Sequence, residues 1–328
     1  MNTLTASVER KANDVRLAAR RPFLQARAAI YKAVRDYFDQ QGFIEIDTPA
    51  RVVNPGQELH LDAFYAQGGR FLITSPEHHM KRLVAAGYDK VVQICRCFRL
   101  EEHGPHHQPE FTMAEWYRTH APLTQIADDC EAVLRVAARA AGHPAPEPAT
   151  RTTVAELMHK HARVRLSGDE SAAALENKLQ AAGHNSRGAT TWDQLFFQVF
   201  LDHVEPALKT GPPTFVFDWP SPLAALARKK PGAEGWAERF ELYARGLELA
   251  NAFGELTDAT EQRARFDSEA RQRAQRDKVA YPIDEKLLAA LANMPPTSGV
   301  ALGMDRLVMW AMQTDDIANV IAFPDDEV

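Results

Sequence analysis

Only three cysteines occur in the 328 residues, Cys95, Cys97 and Cys130. So small and odd a count builds no disulfide framework and fits a reducing compartment. Cys95 and Cys97 stand two apart on an expected strand and so face one side, but no second CxC or nearby CxxH completes a tetrahedral set, and zinc is not expected. The chain also lacks any run approaching the roughly 18 consecutive apolar residues of a membrane helix, and its first residues carry charges where a signal peptide needs an apolar block. It therefore reads as soluble and cytosolic, with no membrane partner. A surplus of positive charge is missing too. The formal net charge of −6 argues against a protein that holds long nucleic acid by neutralising phosphates, while leaving room for a local basic patch and hence for tRNA.

What is present is core-forming material: 45% of residues are apolar and 25% charged, enough for one large domain or a domain with an insertion. Phe23, Ala26, Ile30, Ala33, Val34, Tyr37 and Phe38 recur at helical spacing, predicting a helix over 23–40 that stops near Gly42. Residues 43–46 and 70–74 read as strands around a polar segment, and 91–100 with 111–117 as a long antiparallel hairpin. A helix over 124–141 ends at Gly142 before a Pro-rich linker. Residues 143–210 or so read as a mostly helical insertion without a chemical motif. A strand at 214–218, a loop over 220–235, β character over 239–249, a turn at 251–254, a charged helix over 258–278 and a last strand and helix over 299–313 complete an α+β pattern. The expected organisation is an N-terminal extension over 1–22 and a catalytic domain over 23–328.

Three segments carry chemistry. The first, residues 42–49, follows the long helix and ends in Thr48 and Pro49. In the second, Arg99 and Glu101 stand two apart, which on a strand places them on one face. A guanidinium there suits phosphate oxygens, and a carboxylate suits an exocyclic amine. Phe111 on the partner strand offers a ring for stacking. The third, residues 299–307, is a glycine-punctuated strand feeding a helix, with Gly303 allowing close approach of a ligand and Arg306 near the helix start, where phosphate binds well.

In this order the three segments resemble the signature motifs of class II aminoacyl-tRNA synthetases, over about residues 23–322. That resemblance implies an antiparallel sheet flanked by helices and an ATP-dependent activation of an amino acid. Residues 75–83, with Ser75, Pro76, Glu77 and Lys81, and residues 248–256, with Glu248, Leu249 and Glu255, are similar to lysyl-specific segments. An anticodon-binding barrel of well over a hundred residues precedes the first motif in complete lysyl-tRNA synthetases; here too few residues precede it for a five-stranded barrel. The shortened form, with residues 54–61 and 110–117, resembles the bacterial lysyl-tRNA synthetase paralogues, which attach (R)-β-lysine to elongation factor P. Ala252 and Gly254 depart from that pattern, the family placing glycine before the phenylalanine and histidine or serine after it.

The resemblance implies roles for individual residues. ATP would be held by Arg99, Leu100, Glu101, Gln108, Pro109, Phe111, Glu248, Leu249, Gly303 and Arg306, with Arg99 and Arg306 acting on the phosphates. Mg²⁺ would bind Glu248 and Glu255. The amino acid would meet Ser75, Pro76, Glu77, Tyr117, Glu255 and Ala301, with Glu115 a further candidate, three carboxylates suiting two ammonium groups. Ala301, where lysyl-tRNA synthetases have glycine, would favour β-lysine over α-lysine. The first motif implies a homodimer. A compact lysyl-tRNA synthetase and a non-catalytic synthetase-like regulator remain alternatives at this point. No residue is identified as the base that deprotonates the acceptor lysine, and His103, His106 and His107 read as loop residues.

Overall fold

The computed structural model describes residues 3–328, with side chains from residue 15 onward; Met1 and Asn2, part of the expected extension, lie outside the described residues. The first helix, α1 (Thr3–Gln40), begins well before residue 23 and runs through Pro22. Proline removes a backbone donor and crowds the carbonyl four residues back, so periodicity alone starts the helix after it. Tertiary contacts tie this stretch down: the Arg20 guanidinium donates to both Glu327 carboxylate oxygens at 2.7 Å and to the Ala322 carbonyl.

Strand β1 (Ile44–Glu45) follows, then a small sheet of β2 (Arg51–Val52), β3 (Tyr65–Ala66) and β4 (Arg70–Leu72), then α2 (Glu77–Ala85). The expected hairpin is β5 (Lys90–Phe98) and β6 (Glu110–Thr119), in register from Lys90 opposite Arg118 to Phe98 opposite Glu110. Next come α3 (Leu123–Ala140) and the insertion: β7 (Thr150–Thr153), α4 (Val154–Leu157), α5 (Ala172–Ala181) and α6 (Trp192–Val199). Then follow β8 (Thr214–Pro220), β9 (Lys229–Lys230), β10 (Ala233–Ala244), β11 (Leu247–Gly254), α7 (Ala259–Gln275), α8 (Glu285–Leu291), β12 (Thr297–Gly303) and α9 (Met304–Ala311).

The turn expected at 251–254 is strand: β11 runs through it, and the chain reverses instead at Arg245 and Gly246. Both have positive φ, 54° and 75°, as a two-residue hairpin turn requires. Likewise the loop expected over 220–235 already contains β9 and the start of β10.

The main sheet has the order β1-β5-β6-β12-β11-β10-β8-β7, with β9 on β10. It is antiparallel except at its two edges, where β1 runs parallel to β5 and β7 parallel to β8. One face is sealed by α1, α3 and α9: Ile30, Phe38, Ile126, Val133 and Leu307 pack against Val92, Trp116, Val300, Ala252 and Phe240, which stand abreast on five strands. The insertion has its own apolar cluster, centred on Phe196, Phe200 and Trp219. The other face of the central strands is left for the site.

Candidate active site

Because side chains alternate along a strand, the residues between those core positions all face the opposite way. Gln93, Glu115, Ala301, Asn251 and Glu241 form one row across β5, β6, β12, β11 and β10, and Val91, Tyr117, Gly299, Phe253 and Arg239 form the next. A bulge adjusts this pattern in β11. Leu242 pairs with Ala250 but Tyr243 with Glu248, so Leu249 is the extra residue. The added residue restores Glu248 to the face of Asn251 and Phe253, which plain alternation would deny it.

The middle of these rows, from Glu115 to Asn251 and from Tyr117 to Arg239, floors a cavity of about 380 Å³, within the usual range for small-ligand sites. Arg99, Gln108, Phe111, Glu248, Leu249, Gly303 and Arg306 line it, as do Ser75, Glu77, Glu115, Tyr117, Glu255 and Ala301. Pro76, Leu100, Glu101 and Pro109 do not. Strand β5 ends at Phe98, so Arg99 and Glu101 do not share a strand face; Glu101 is exposed in the turn beyond. Glu102, not Glu101, accepts from Arg99 at 3.1 Å. Pro109 acts through its backbone, its carbonyl accepting from the Arg99 amide, and Pro76 caps the start of α2.

One end of the cavity carries two guanidinium groups. Arg99 lies 5.0 Å from the centre of the Phe111 ring. Arg306, in the first turn of α9, donates to the Glu248 carbonyl at 2.8 Å and sits 2.6 Å from His107 Nε2. Burial and the facing Arg306 hold the His107 pKa down, so the ring accepts that bond as neutral imidazole. Asp305 fixes the helix start, accepting from the Thr112 amide at 2.7 Å and pairing with Arg27. A side chain at Gly303 would meet no protein atom closer than 3.8 Å, so the space above it belongs to the cavity.

The other end carries carboxylates. Glu77 opens α2, and Lys81, one turn on, is buried between Glu77 at 2.5 Å and Glu255 at 2.6 Å. Burial alone would depress the Lys81 pKa, but the two carboxylates outweigh it and raise it. Burial pushes Glu255 up to about 7 despite Lys81. Its Oε2, in ion-pair contact but without an aligned hydrogen bond, remains an available acceptor. Glu115 accepts from the Tyr117 hydroxyl at 2.6 Å and from Ser75 at 3.2 Å; burial and then the Glu77 charge raise its pKa well above the carboxylate range. Gly299 makes this packing possible, since a Cβ there would fall 2.3 Å from the Tyr117 ring and 2.8 Å from Glu255 Oε1.

The shared metal site expected of Glu248 and Glu255 is not supported. Glu248 lies near the start of β11 and Glu255 just past its end, roughly 20 Å apart at about 3.3 Å per residue, and Glu255 is already paired with Lys81. No group of three or more His, Cys, Asp or Glu side chains among the described residues is poised to hold a metal. Of the two, only Glu248 stands by a guanidinium, 3.9 Å from Arg306, which suits a cation bound mainly through nucleotide phosphates.

Sequence reasoning left Lys81 without a role, although a Lys four residues after a Glu on a helix start is a legible pairing signal. It also missed Glu58, Glu102 and Arg239, which line the cavity from loops and a distant strand and have no sequence periodicity that points to it.

Fold and site define a class. The family described as tRNA synthetases class II (D, K and N) matches residues 5–327, and the chain belongs to it. Within that class it is similar to the elongation factor P–(R)-β-lysine ligase of Enterobacter sp. (strain 638), 41% identical over 318 residues, covering 93% of this chain and 95% of the relative. The proteins of that name from Klebsiella pneumoniae (strain 342) and Salmonella paratyphi B are each 40% identical over 315 residues, with the same coverage.

Proposed function

We propose that the chain is an ATP-dependent ligase that activates (R)-β-lysine as its adenylate. It then transfers the β-lysyl group to the ε-amine of a lysine on elongation factor P, releasing AMP and pyrophosphate. One observation carries this reading: a single cavity has guanidinium groups at one end and three carboxylates around one internal ammonium at the other. With more carboxylates than cations, that end offers acceptors for two ammonium groups. The names of the relatives point the same way.

In the first step the substrate carboxylate attacks the α-phosphorus of ATP and pyrophosphate leaves. The protein supplies position and charge rather than a nucleophile. Arg99 holds the α-phosphate and Arg306 the far phosphates, the second freed from His107 when a more charged acceptor arrives. Phe111 offers its face to adenine, with Gln108 at the rim. Glu248 would hold Mg²⁺ arriving with the nucleotide, which would supply neutralisation of phosphate charge. Ser75, Glu77, Glu115, Tyr117 and Glu255 hold the ammonium groups, and Ala301, between Glu115 and Asn251, shapes the floor beneath them.

No helix among the described residues is long and apolar enough to cross a membrane, and we place the enzyme in the cytoplasm. It works as a homodimer joined near β1, an edge strand of two residues whose Ile44 is 53% exposed beside Tyr88 at 40%. Sedimentation of a monomer at submicromolar concentration would remove that element. Pyrophosphate exchange with (R)-β-lysine, followed by intact mass measurement of elongation factor P, tests the whole reading. Exchange and a β-lysyl mass increase are expected; no exchange with either β-lysine or α-lysine overturns it.

A further inference from the structure

Acyl transfer to a lysine needs a proton acceptor, because at a reference pKa of about 10.4 the incoming ε-amine is almost wholly an ammonium at neutral pH. Accepting the proposed reaction, we infer that Glu58 is the general base of the transfer step.

Four observations converge on it. Glu58 lines the same cavity as Glu77 and Arg99, and these two charges act on its carboxyl, which places it between the ammonium end and the phosphate end. That is where the acyl carbon of an adenylate must sit. The pocket carboxylates Glu77 and Glu255 have Lys81, and Glu115 has Tyr117 and Ser75. The Glu58 carboxylate takes no hydrogen bond or ion pair from another described residue. It is also fixed in place: Arg273, a buried guanidinium on α7, donates to the carbonyls of Glu58 and Leu61 and to the Asp62 carboxylate. Gln57 is tied to Pro282 on the same side. Finally, Gly56 makes room for the carboxylate. With φ at +134°, it would place any Cβ 2.5 Å from Glu58 Oε2.

A base must be unpaired, held still and close to the proton it removes, and Glu58 has the first two properties in the right place for the third. Burial, then the Glu77 charge, raises its pKa, which makes it a better acceptor than an exposed carboxylate. In the step, Glu58 takes one proton from the ε-ammonium and the freed amine forms a C–N bond to the acyl carbon. The acyl C–O bond to AMP then breaks, and the second amine proton departs with the AMP phosphate. Adenylate formation uses no base and should not require Glu58.

The test separates the two steps. Pyrophosphate exchange with β-lysine is compared in wild type and Glu58→Gln, and single-turnover transfer from the preformed adenylate is followed to elongation factor P, n-butylamine and hydroxylamine. Hydroxylamine is already neutral near pH 7 and needs no base. We expect exchange within about twofold of wild type, hydroxamate formation unchanged, and transfer to both protonated amines slowed by about 100-fold or more. Over a neutral-to-alkaline pH series the variant's deficit should shrink as the acceptor amine deprotonates by itself. The groups facing Glu58 are Glu77 and His78 of α2, Arg99 and Glu269 of α7, and Glu269→Gln, which leaves Glu58 itself intact, should keep wild-type transfer at the alkaline end. Equal loss of exchange and transfer would make Glu58 a substrate-binding group, and unchanged transfer would make it a bystander; either result overturns the inference. A wild type that forms no β-lysyl adenylate would instead refute the proposed reaction.

Discussion

The two ends of the cavity are built by opposite strategies. At the ammonium end Lys81, Glu115 and Glu255 are at most 2% exposed and already tied before any ligand arrives, Lys81 to Glu255 and Glu115 to Tyr117 and Ser75. At the phosphate end the side chains of Arg99 and Arg306 are 23% and 22% exposed, and their guanidinium groups are parked on Glu102, His107 and a backbone carbonyl. A pocket that must count charges is thus preformed, whereas one that must grip and release a polyphosphate uses partners a stronger anion displaces. Disturbing the first should cost stability; disturbing the second should cost rate.

The largest effect belongs to the preformed end. Lys81→Met leaves two buried carboxylates facing each other, and breaking such a pair typically costs about 3–5 kcal/mol, so a large fall in melting temperature is expected. A melting temperature within error of wild type would mean that the ion pairs are incidental. At the other end, Arg99→Ala or Arg306→Ala should leave melting nearly unchanged while slowing pyrophosphate exchange by about 3–4 kcal/mol of transition-state stabilisation. Exchange near wild type in either variant would remove that arginine from the phosphate site.

That contrast also explains what the sequence discloses. The β5–β6 hairpin and the helix opened by Asp258 are local patterns, and both are found within about three residues of where they are expected. The turn placed at 251–254 is wrong because Asn251 and Gly254 look like turn residues when read alone. Asn251 is polar because it faces the cavity, and Gly254 is small because a Cβ there would fall 2.4 Å from the Glu238 carboxylate; neither marks a bend. Glu101 is misplaced for a related reason: two-residue spacing means one face only while the strand lasts, and β5 ends at Phe98. The loop-borne Glu58 needs the three-dimensional clamp of Arg273 to be recognised at all.

A smaller effect sharpens the comparison at the cavity floor. Ala301→Gly should shift pyrophosphate exchange toward α-lysine, since one methyl of shape changes discrimination by about 1–3 kcal/mol; an unchanged ratio of efficiencies for the two isomers would make Ala301 a packing residue. The smallest is a pH effect. Glu255, raised to about 7, attracts an ammonium only when ionised. Catalytic efficiency toward β-lysine should therefore hold above that pH and decline below it, by at most about 1.4 kcal/mol per unit. Stability of the empty enzyme should respond with the opposite sign, because a carboxyl whose folded pKa is raised above its unfolded value favours the folded state on the acid side and loses that benefit as pH rises through about 7. Titrating KM and melting temperature together checks both directions.

The bulge at Leu249 has a consequence for what the enzyme can measure. Because it keeps Glu248 and Glu255 on one face, a single strand runs the length of the cavity, from the parked arginine to the buried acids, and the hydrogen-bonded neighbours on both sides stop it from sliding. β11 is then a ruler with fixed marks: a diamino acid shorter than lysine, anchored by its carboxylate at the phosphate end, leaves its terminal ammonium short of the far mark, and no adjustment of the sheet can close the gap.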